Sequence, residues 1–479
     1  MKILMLAAEV VPFAKVGGLA DVAGALPKAL RQLGHDVRVV MPRYGRIGPA
    51  HWDLTPLVPL FDVQVGHETA EVSILEGTIG GVPVDFVDIP ELFGNRPTIY
   101  GDNDDGRRFL VFCAAALQYV EHIGWKPDVI HANDWHTAIA PVMLKNGWGG
   151  TFLADTASIF TIHNLAYQGV VERSSLGAAT AFLPTDVHDS WVNIMALGLR
   201  HADLLTTVSP TYAQEILTPE YGAGLEWLLR ERQDQLVGVL NGIDTDVIDP
   251  ETDSEIAANY GLEDLSGKVA CKTALQRQAG FSSDAYRPVL GMVGRLVDQK
   301  GFDLFAAAVE PLLNQSPLQV VVLGIGEPRY HALLEHLQAR YPDRLRAWLT
   351  FDGIQAQRIY AGADMFVMPS RFEPCGLGQM IAMRYGTVPI VRGTGGLVDT
   401  VEEGPPSAPR TGFIFWPYSA VDLQGAVRRA LDALNSPEQW RALVHNDMAV
   451  DNSWRHSAKK YIELYEQATA HHRQAVVIE

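Results

Sequence analysis

The chain opens the same way twice. Residues 3–8 form an apolar run, followed by a glycine-bearing loop, a helical stretch from about residue 21 to residue 33 closed by Gly34, and a second apolar run, Val37-Arg38-Val39-Val40. From about Pro288 the order returns: Val289-Leu290-Gly291-Met292-Val293, a loop over residues 294–301, a helical stretch to about Leu313, then Val320-Val321-Val322-Leu323. A short apolar strand that feeds a helix and is followed by another such strand is a βαβ unit, and parallel strands of this kind are covered on both faces. Further runs at residues 128–130 and 158–162 each end in a polar cluster. The expected fold is α/β, with two doubly wound domains, and a ligand is expected in the cleft between them.

Length and punctuation fit that division. At roughly 100–200 residues per domain, 479 residues allow two to four domains. The turn-prone Asn241-Gly242-Ile243-Asp244 and the polar residues 249–254 mark the boundary, giving a first domain over residues 1–241 and a second from residue 242. With 56 acidic against 38 basic residues the net charge is −18, which disfavours nucleic acid as a partner. An anionic ligand must then be met by a few basic groups placed locally. The three cysteines, Cys113, Cys271 and Cys375, build no disulfide framework or zinc spacing, and a reducing compartment is expected. The apolar run at residues 3–8 is too short for a signal-peptide core, and residues 109–120, interrupted by Gln118, fall short of a membrane span. A soluble, cytoplasmic protein is the expectation, with no membrane partner and the oligomeric state open.

Three kinds of segment carry candidate chemistry. Lys15-Val16-Gly17-Gly18-Leu19-Ala20-Asp21 follows the first strand and opens a helix, so its backbone amides and Lys15 suit an anion; a plain βα turn with a solvated lysine is the alternative. Arg295 and Lys300 occupy the equivalent loop of the second half, and the matched placement suits a diphosphate; solvated loop cations are the alternative. In Ser370-Arg371-Phe372-Glu373-Pro374-Cys375-Gly376-Leu377, Pro374 stops Glu373 from continuing a helix, while Gly376 and Leu377 are expected in the first turn with free amides. A structural role for Glu373 at a helix dipole competes with a chemical one. Thr394-Gly395-Gly396-Leu397 is a further glycine pair, with a turn as its alternative. Residues 131–136 and 163–169 gather polar, aromatic and amide groups at strand ends, as recognition of a sugar requires; they make a weak metal site, and none is expected.

Taken in order, Lys15–Val22, Asp134-Trp135-His136, His163-Asn164-Leu165-Ala166-Tyr167-Gln168-Gly169, Thr206-Thr207-Val208-Ser209-Pro210, Val239-Leu240-Asn241-Gly242-Ile243-Asp244 and Arg371–Leu377 resemble the bacterial glycogen synthase and plant starch synthase family. The resemblance runs to about Trp454. It implies a GT-B fold of two Rossmann-like domains around a cleft, the second spanning residues 242–454, with a C-terminal helix over residues 455–479 crossing back to the first. It implies transfer of glucose from ADP-glucose to the non-reducing 4-hydroxyl of an α-1,4-glucan with retention of configuration, ADP as product, and no cofactor or metal. Nucleotide sugar and glucan acceptor are the implied partners. By motif, Lys15, Gly17 and Gly18 meet the donor diphosphate and sugar, Arg295 and Lys300 neutralise the departing phosphates, and Phe351 stacks on adenine. Glu373 orients the donor glucose and steadies charge at its anomeric carbon, while Cys375, Gly376, Leu377 and Thr394 complete the donor side. His163, Asp134, Asp21, Asn164 and Asn241 are implied in substrate binding, with His163 and Lys15 also in catalysis.

Three positions depart from the family pattern: Ala196 stands where a lysine is usual, Gly378 where some members carry threonine, and Phe351 where a tyrosine is expected. Two other readings compete. The triplets Asp102-Asn103-Asp104 and Asp244-Thr245-Asp246 suit a metal-dependent glycosyltransferase with another donor, and Ala196 is the feature favouring a catalytically silent glucan-binding homologue.

Overall fold

A computed structural model describes residues 1–96, 98–404 and 410–478. Two compact units make up the chain, one of Met1–Gly242 with Trp454–Glu479, the other of Ile243–Ser453.

The first unit is built on a nine-stranded sheet. The strand Lys2–Leu6 lies near its middle, paired in parallel with Asp36–Pro42 on one side (Lys2 opposite Asp36) and with Val129–Asn133 on the other (Ile3 opposite Val129). Ala157–Ile162, Leu204–Thr207 and Leu236–Gly238 extend the sheet in parallel beyond Val129–Asn133. Val82–Asp88 adds in parallel to Asp36–Pro42 and is followed by two antiparallel strands, Glu68–Ile79 and Thr55–Val65. That antiparallel edge corrects the expectation of a purely parallel sheet. Its outer strand alternates, with Phe61, Val63 and Val65 buried and Leu60, Asp62 and Gln64 exposed, which is the pattern of a strand with one solvated face.

The first helix runs Gly18–Gln32, three residues earlier than the periodicity suggested. Leu19, Val22, Leu26 and Leu30 are buried at helical spacing and face the sheet; each such side chain contributes about 2 kcal/mol by the apolar area it removes from water. The last helix, Trp454–Ile478, belongs to this unit and packs against Gly18–Gln32 and the strand Ala157–Ile162. His131 fastens it: one ring nitrogen meets the Tyr465 hydroxyl at 2.9 Å and the other meets Thr161 Oγ1 at 2.6 Å, all buried. His131 is thus part of a strand and the core, not of the polar loop in which the sequence placed it.

The second unit holds a six-stranded parallel sheet in the order Leu345–Trp348, Gln319–Leu323, Val289–Val293, Met365–Met368, Val388–Arg392, Phe413–Phe415. Its core is continuous through Leu290, Met292, Phe305, Val320, Val322, Phe366 and Ile390. No helix among the described residues is long and apolar enough to cross a membrane.

In each sheet the strand order reverses beside the first strand of its unit. Lys2–Leu6 is followed in the chain by its neighbour on one side and only much later by Val129–Asn133 on the other. Val289–Val293 stands in the same relation to Gln319–Leu323 and Met365–Met368. At such a reversal the loops at the carboxyl ends of the two central strands diverge and leave a crevice, where open α/β sheets bind ligands.

Candidate active site

The switch point of the first unit gathers residues 7–17 and 134–136. Lys15 donates to Asp21 at 2.7 Å, both side chains being partly exposed. The N–H groups of Val16 and Gly17 both donate to the carboxylate of Glu9, the latter at 3.0 Å. Two of the loop amides expected to seat an external anion therefore hold a carboxylate of the chain itself. Gly17 is the N-cap of the first helix and brings no side chain to the amides of the first turn, which begins at Gly18.

Asp134 follows the neighbouring strand in a backbone conformation, φ 56° and ψ 178°, that is nearly confined to glycine. Its Oδ1 accepts the N–H of His163 at 2.7 Å and that of Asn164 at 3.4 Å, tying two strand ends together. Burial pushes its carboxyl up to about 7, against those two bonds and with the Glu9 charge adding to the rise. His163 is buried, and burial lowers its imidazole to about 3, so the ring is neutral. Asn133 Nδ2 donates to the carbonyls of Leu6 and His131, which leaves Asn133 Oδ1 to accept from His163 Nε2 at 2.9 Å. That assignment of the amide puts the proton on Nε2 and leaves Nδ1 as the ring's acceptor. His136 is likewise neutral, lowered to about 3 chiefly by burial, and stacks on Tyr100 with ring centres 4.6 Å apart. Asn164 Oδ1 accepts from Ala166 N, closing the turn of its own loop. Asn241 is buried at the end of this unit. Ala196 sits in the first turn of the helix Ile194–His201, where its N–H is capped by Asn193 Oδ1 at 3.0 Å.

The second unit's switch point brings residues 294–301 against 369–377. Lys300 Nζ donates to both carboxylate oxygens of Glu373, at 2.8 and 2.7 Å, and Ser370 Oγ donates to Oε2 at 2.8 Å. Glu373 is 5% exposed, so its charge is met by a cation and a hydroxyl rather than by bulk water. Gln299 locks the two loops together: its carbonyl accepts Arg371 N–H at 2.8 Å, and its Nε2 donates to Phe372 O at 3.2 Å. The side chain of Arg295, in the same loop, makes no hydrogen bond or ion pair among the described residues, while its carbonyl accepts Val297 N–H at 2.9 Å.

Behind Glu373 the pair Gly395-Gly396 makes close backbone approach possible. A Cβ on Gly395, at φ +46°, would stand 2.0 Å from Glu373 O, and Gly396 N donates to that same carbonyl at 3.1 Å. Thr394 is buried at the N-cap of that helix. Gly376 and Leu377 require a correction. The helix begins at Gly378, with Leu377 as N-cap and Gly376 at φ +76°, so both precede the first turn. Cys375 is buried beside them, its carbonyl held by Gln379 Nε2 at 3.1 Å. Phe351 is 70% exposed and immediately precedes Asp352, which caps the helix Gly353–Gly362.

The structure thus unites Lys300 with Glu373, Lys15 with Asp21, and Asp134 with His163 and Asn164. Asn133 holds His163, Ser370 holds Glu373, and Glu9 holds the amides of Val16 and Gly17; a single acid after an apolar run gives no sequence signal of that role. The carboxylates of Asp102 and Asp104, proposed as a metal triplet, are both bound by Arg96, at 3.1 and 2.6 Å.

Comparisons with known proteins identify the family and the fold. Residues 2–231 match the family model described as starch synthase catalytic domain, and residues 287–433 match glycosyl transferases group 1. The chain is 46% identical to a glycogen synthase of Anaeromyxobacter dehalogenans over 97% of its own length and 98% of that protein's. It is 43% identical to a glycogen synthase of Gloeobacter violaceus over 98% and 99%. Among solved structures, the catalytic domain of starch synthase IV from Arabidopsis thaliana, bound to ADP and acarbose, superimposes with a TM-score of 0.92 at 36% identity, covering 98% of this chain and 99% of that one. The fold is GT-B, and the readings as a metal-dependent enzyme of another class or a silent homologue are not favoured. With identity of this order sustained along the whole chain, the protein belongs to the glycogen synthase family of glycosyltransferases.

Proposed function

We propose that the chain uses ADP-glucose as donor and extends the non-reducing 4-hydroxyl of an α-1,4-glucan with retention at the anomeric carbon. The observation that carries this reading is the Lys300–Ser370–Glu373 constellation at the second unit's switch point, a buried carboxylate and a cation held in contact, with Arg295 in the same loop as Lys300. The relative solved with ADP supports adenine as the donor base.

In this reading the bond between the anomeric carbon and the β-phosphate oxygen breaks, and the bond to the acceptor's O4 forms on the same face. The acceptor's hydroxyl proton passes to the phosphate oxygen that leaves, so ADP departs with the negative charge balanced. Arg295 and Lys300 stabilise the charge developing on that phosphate, and Lys15 with the amides from Gly18 onward contributes to binding the donor. Glu373 orients the donor glucose and steadies positive charge at its anomeric carbon. Cys375, Gly376, Leu377 and Thr394 contribute to donor binding, and Phe351 offers its exposed ring to adenine. His163, neutral and with Nδ1 free to accept, suits a sugar hydroxyl, as do Asp134, Asn164, Asp21 and Asn241. No cofactor or metal enters the reaction, and the cytoplasm, where nucleotide sugars and glycogen meet, is the proposed location.

Incorporation of labelled glucose into a glucan from ADP-glucose, with UDP-glucose in parallel, tests this. Incorporation from ADP-glucose is expected. Incorporation from UDP-glucose alone overturns the donor assignment, and none from either overturns the reading.

A further inference from the structure

Glu9 lies just past the strand Lys2–Leu6, in the loop that leads to the helix Gly18–Gln32, and is 5% exposed. Its Oε2 accepts both the Val16 and the Gly17 N–H, and its Oε1 lies 3.7 Å from where a Cβ on Gly17 would stand. Burial pushes the carboxyl up from its ordinary value, while the two amides and the Tyr100 hydroxyl oppose the shift. The dependence is mutual. A buried carboxylate needs donors, and two backbone N–H groups left without an acceptor would be costly.

The consequence for the glycine loop is a division of its amides. Those ahead of the helix are filled by the protein's own anion. Those of the first turn follow a glycine N-cap that offers them no side chain, and Lys15 stands beside them, held by Asp21. We propose that Glu9 is a positioning residue for the donor: by holding the Val16 and Gly17 N–H groups it fixes residues 15–18, so that Lys15 and the first-turn amides receive a diphosphate. The inference rests on the ADP-glucose reading above. It demands an acceptor oxygen at the right reach, and it does not demand a negative charge. A second anion beside a diphosphate is, if anything, repulsive.

Two substitutions separate reach from charge. Glu9→Gln keeps the length and an acceptor oxygen; Glu9→Asp keeps the charge and withdraws the oxygen by one methylene. ADP affinity measured by calorimetry, together with donor and glucan KM, is expected to be near wild type in Glu9→Gln. In Glu9→Asp, ADP affinity should fall about tenfold, with donor KM rising in step and glucan KM unchanged. The reverse order, with Asp near wild type and Gln impaired, overturns the proposal, as do equal affinities in all three proteins. Should Glu9→Asp fail to fold, hydrogen exchange on Glu9→Gln decides: the Val16 and Gly17 amides must stay protected, and rapid exchange overturns the role. Failure of the wild type to bind ADP would overturn the donor reading and this role together. Wild-type binding without the predicted order overturns the role alone.

Discussion

Lys300 grips both carboxylate oxygens of Glu373, at 2.8 and 2.7 Å, across 73 positions of sequence. The two charges compensate each other in a place where Glu373 is almost wholly buried. In the proposed reading, the group that steadies charge on the sugar and the group that meets charge on the phosphate are thereby mechanically linked. Disturbing either changes the environment of the other.

Glu373→Gln keeps the shape and removes the charge. Turnover should fall by at least about 10²-fold while ADP binding stays within about tenfold, because the charge acts chiefly in the transition state. Steady-state rates and ADP titration check this; near-normal turnover would remove Glu373 from the chemistry.

Lys300→Ala and Arg295→Ala should both cut kcat/KM by about 10²-fold, yet they should differ in stability. Removing Lys300 strands the buried Glu373 carboxylate and should cost about 2 kcal/mol or more. Removing Arg295, whose side chain has no partner among the described residues, should leave stability within about 0.5 kcal/mol. Denaturant unfolding of the two variants measures the contrast.

Asp134 gives a pH signature. Its folded value near 7 lies above the ordinary 3.8, so its contribution to stability is complete below about pH 4 and is lost as pH rises through 7. Relative to Asp134→Asn, the wild type should therefore lose stability between pH 4 and 7 and hold a constant difference above about pH 8. Melting curves at pH 5 and 8 suffice, and a difference that moves the other way contradicts the assignment.

The backbone at Asp134 offers a separate test. At φ 56° and ψ 178°, glycine is unstrained and alanine is not. Both substitutions lose the carboxylate, so Asp134→Gly should be more stable than Asp134→Ala by about 1 kcal/mol or more, measured by chemical denaturation.

Activity should survive EDTA and gain nothing from Mn²⁺, because the proposed counter-charges for the leaving phosphate are Arg295, Lys300 and Lys15. Loss on chelation with rescue by Mn²⁺ would contradict this. Asp102→Asn should leave kcat unchanged, its carboxylate serving Arg96.

The two sheets were legible because residues 3–6 and 289–293 are apolar runs ahead of glycine loops, a combination with few other uses. The strands Thr55–Val65 and Glu68–Ile79 escaped notice, since a half-solvated strand shows only alternation, diluted here by Pro56 and Pro59. Within the site, Lys15, Arg295, Lys300 and Glu373 stood out by residue type and place. What held them did not. Lys300 reaches Glu373, and His163 and Asn164 reach Asp134, from other strand ends, and only the register of the sheets brings them near. Glu9 was hidden for a different reason: a lone acid after an apolar run carries no local mark of being buried.

The last helix, Trp454–Ile478, closes the unit that the first residues begin. During translation the strands Val129–Asn133 and Ala157–Ile162 leave the ribosome long before Tyr465, whose hydroxyl binds His131 in the first of them. The amino-terminal half must wait, its hydrophobic seam uncovered, while all of residues 243–453 are made. The unit begun second can finish folding first. A nascent chain stalled anywhere before residue 454 would carry that open seam.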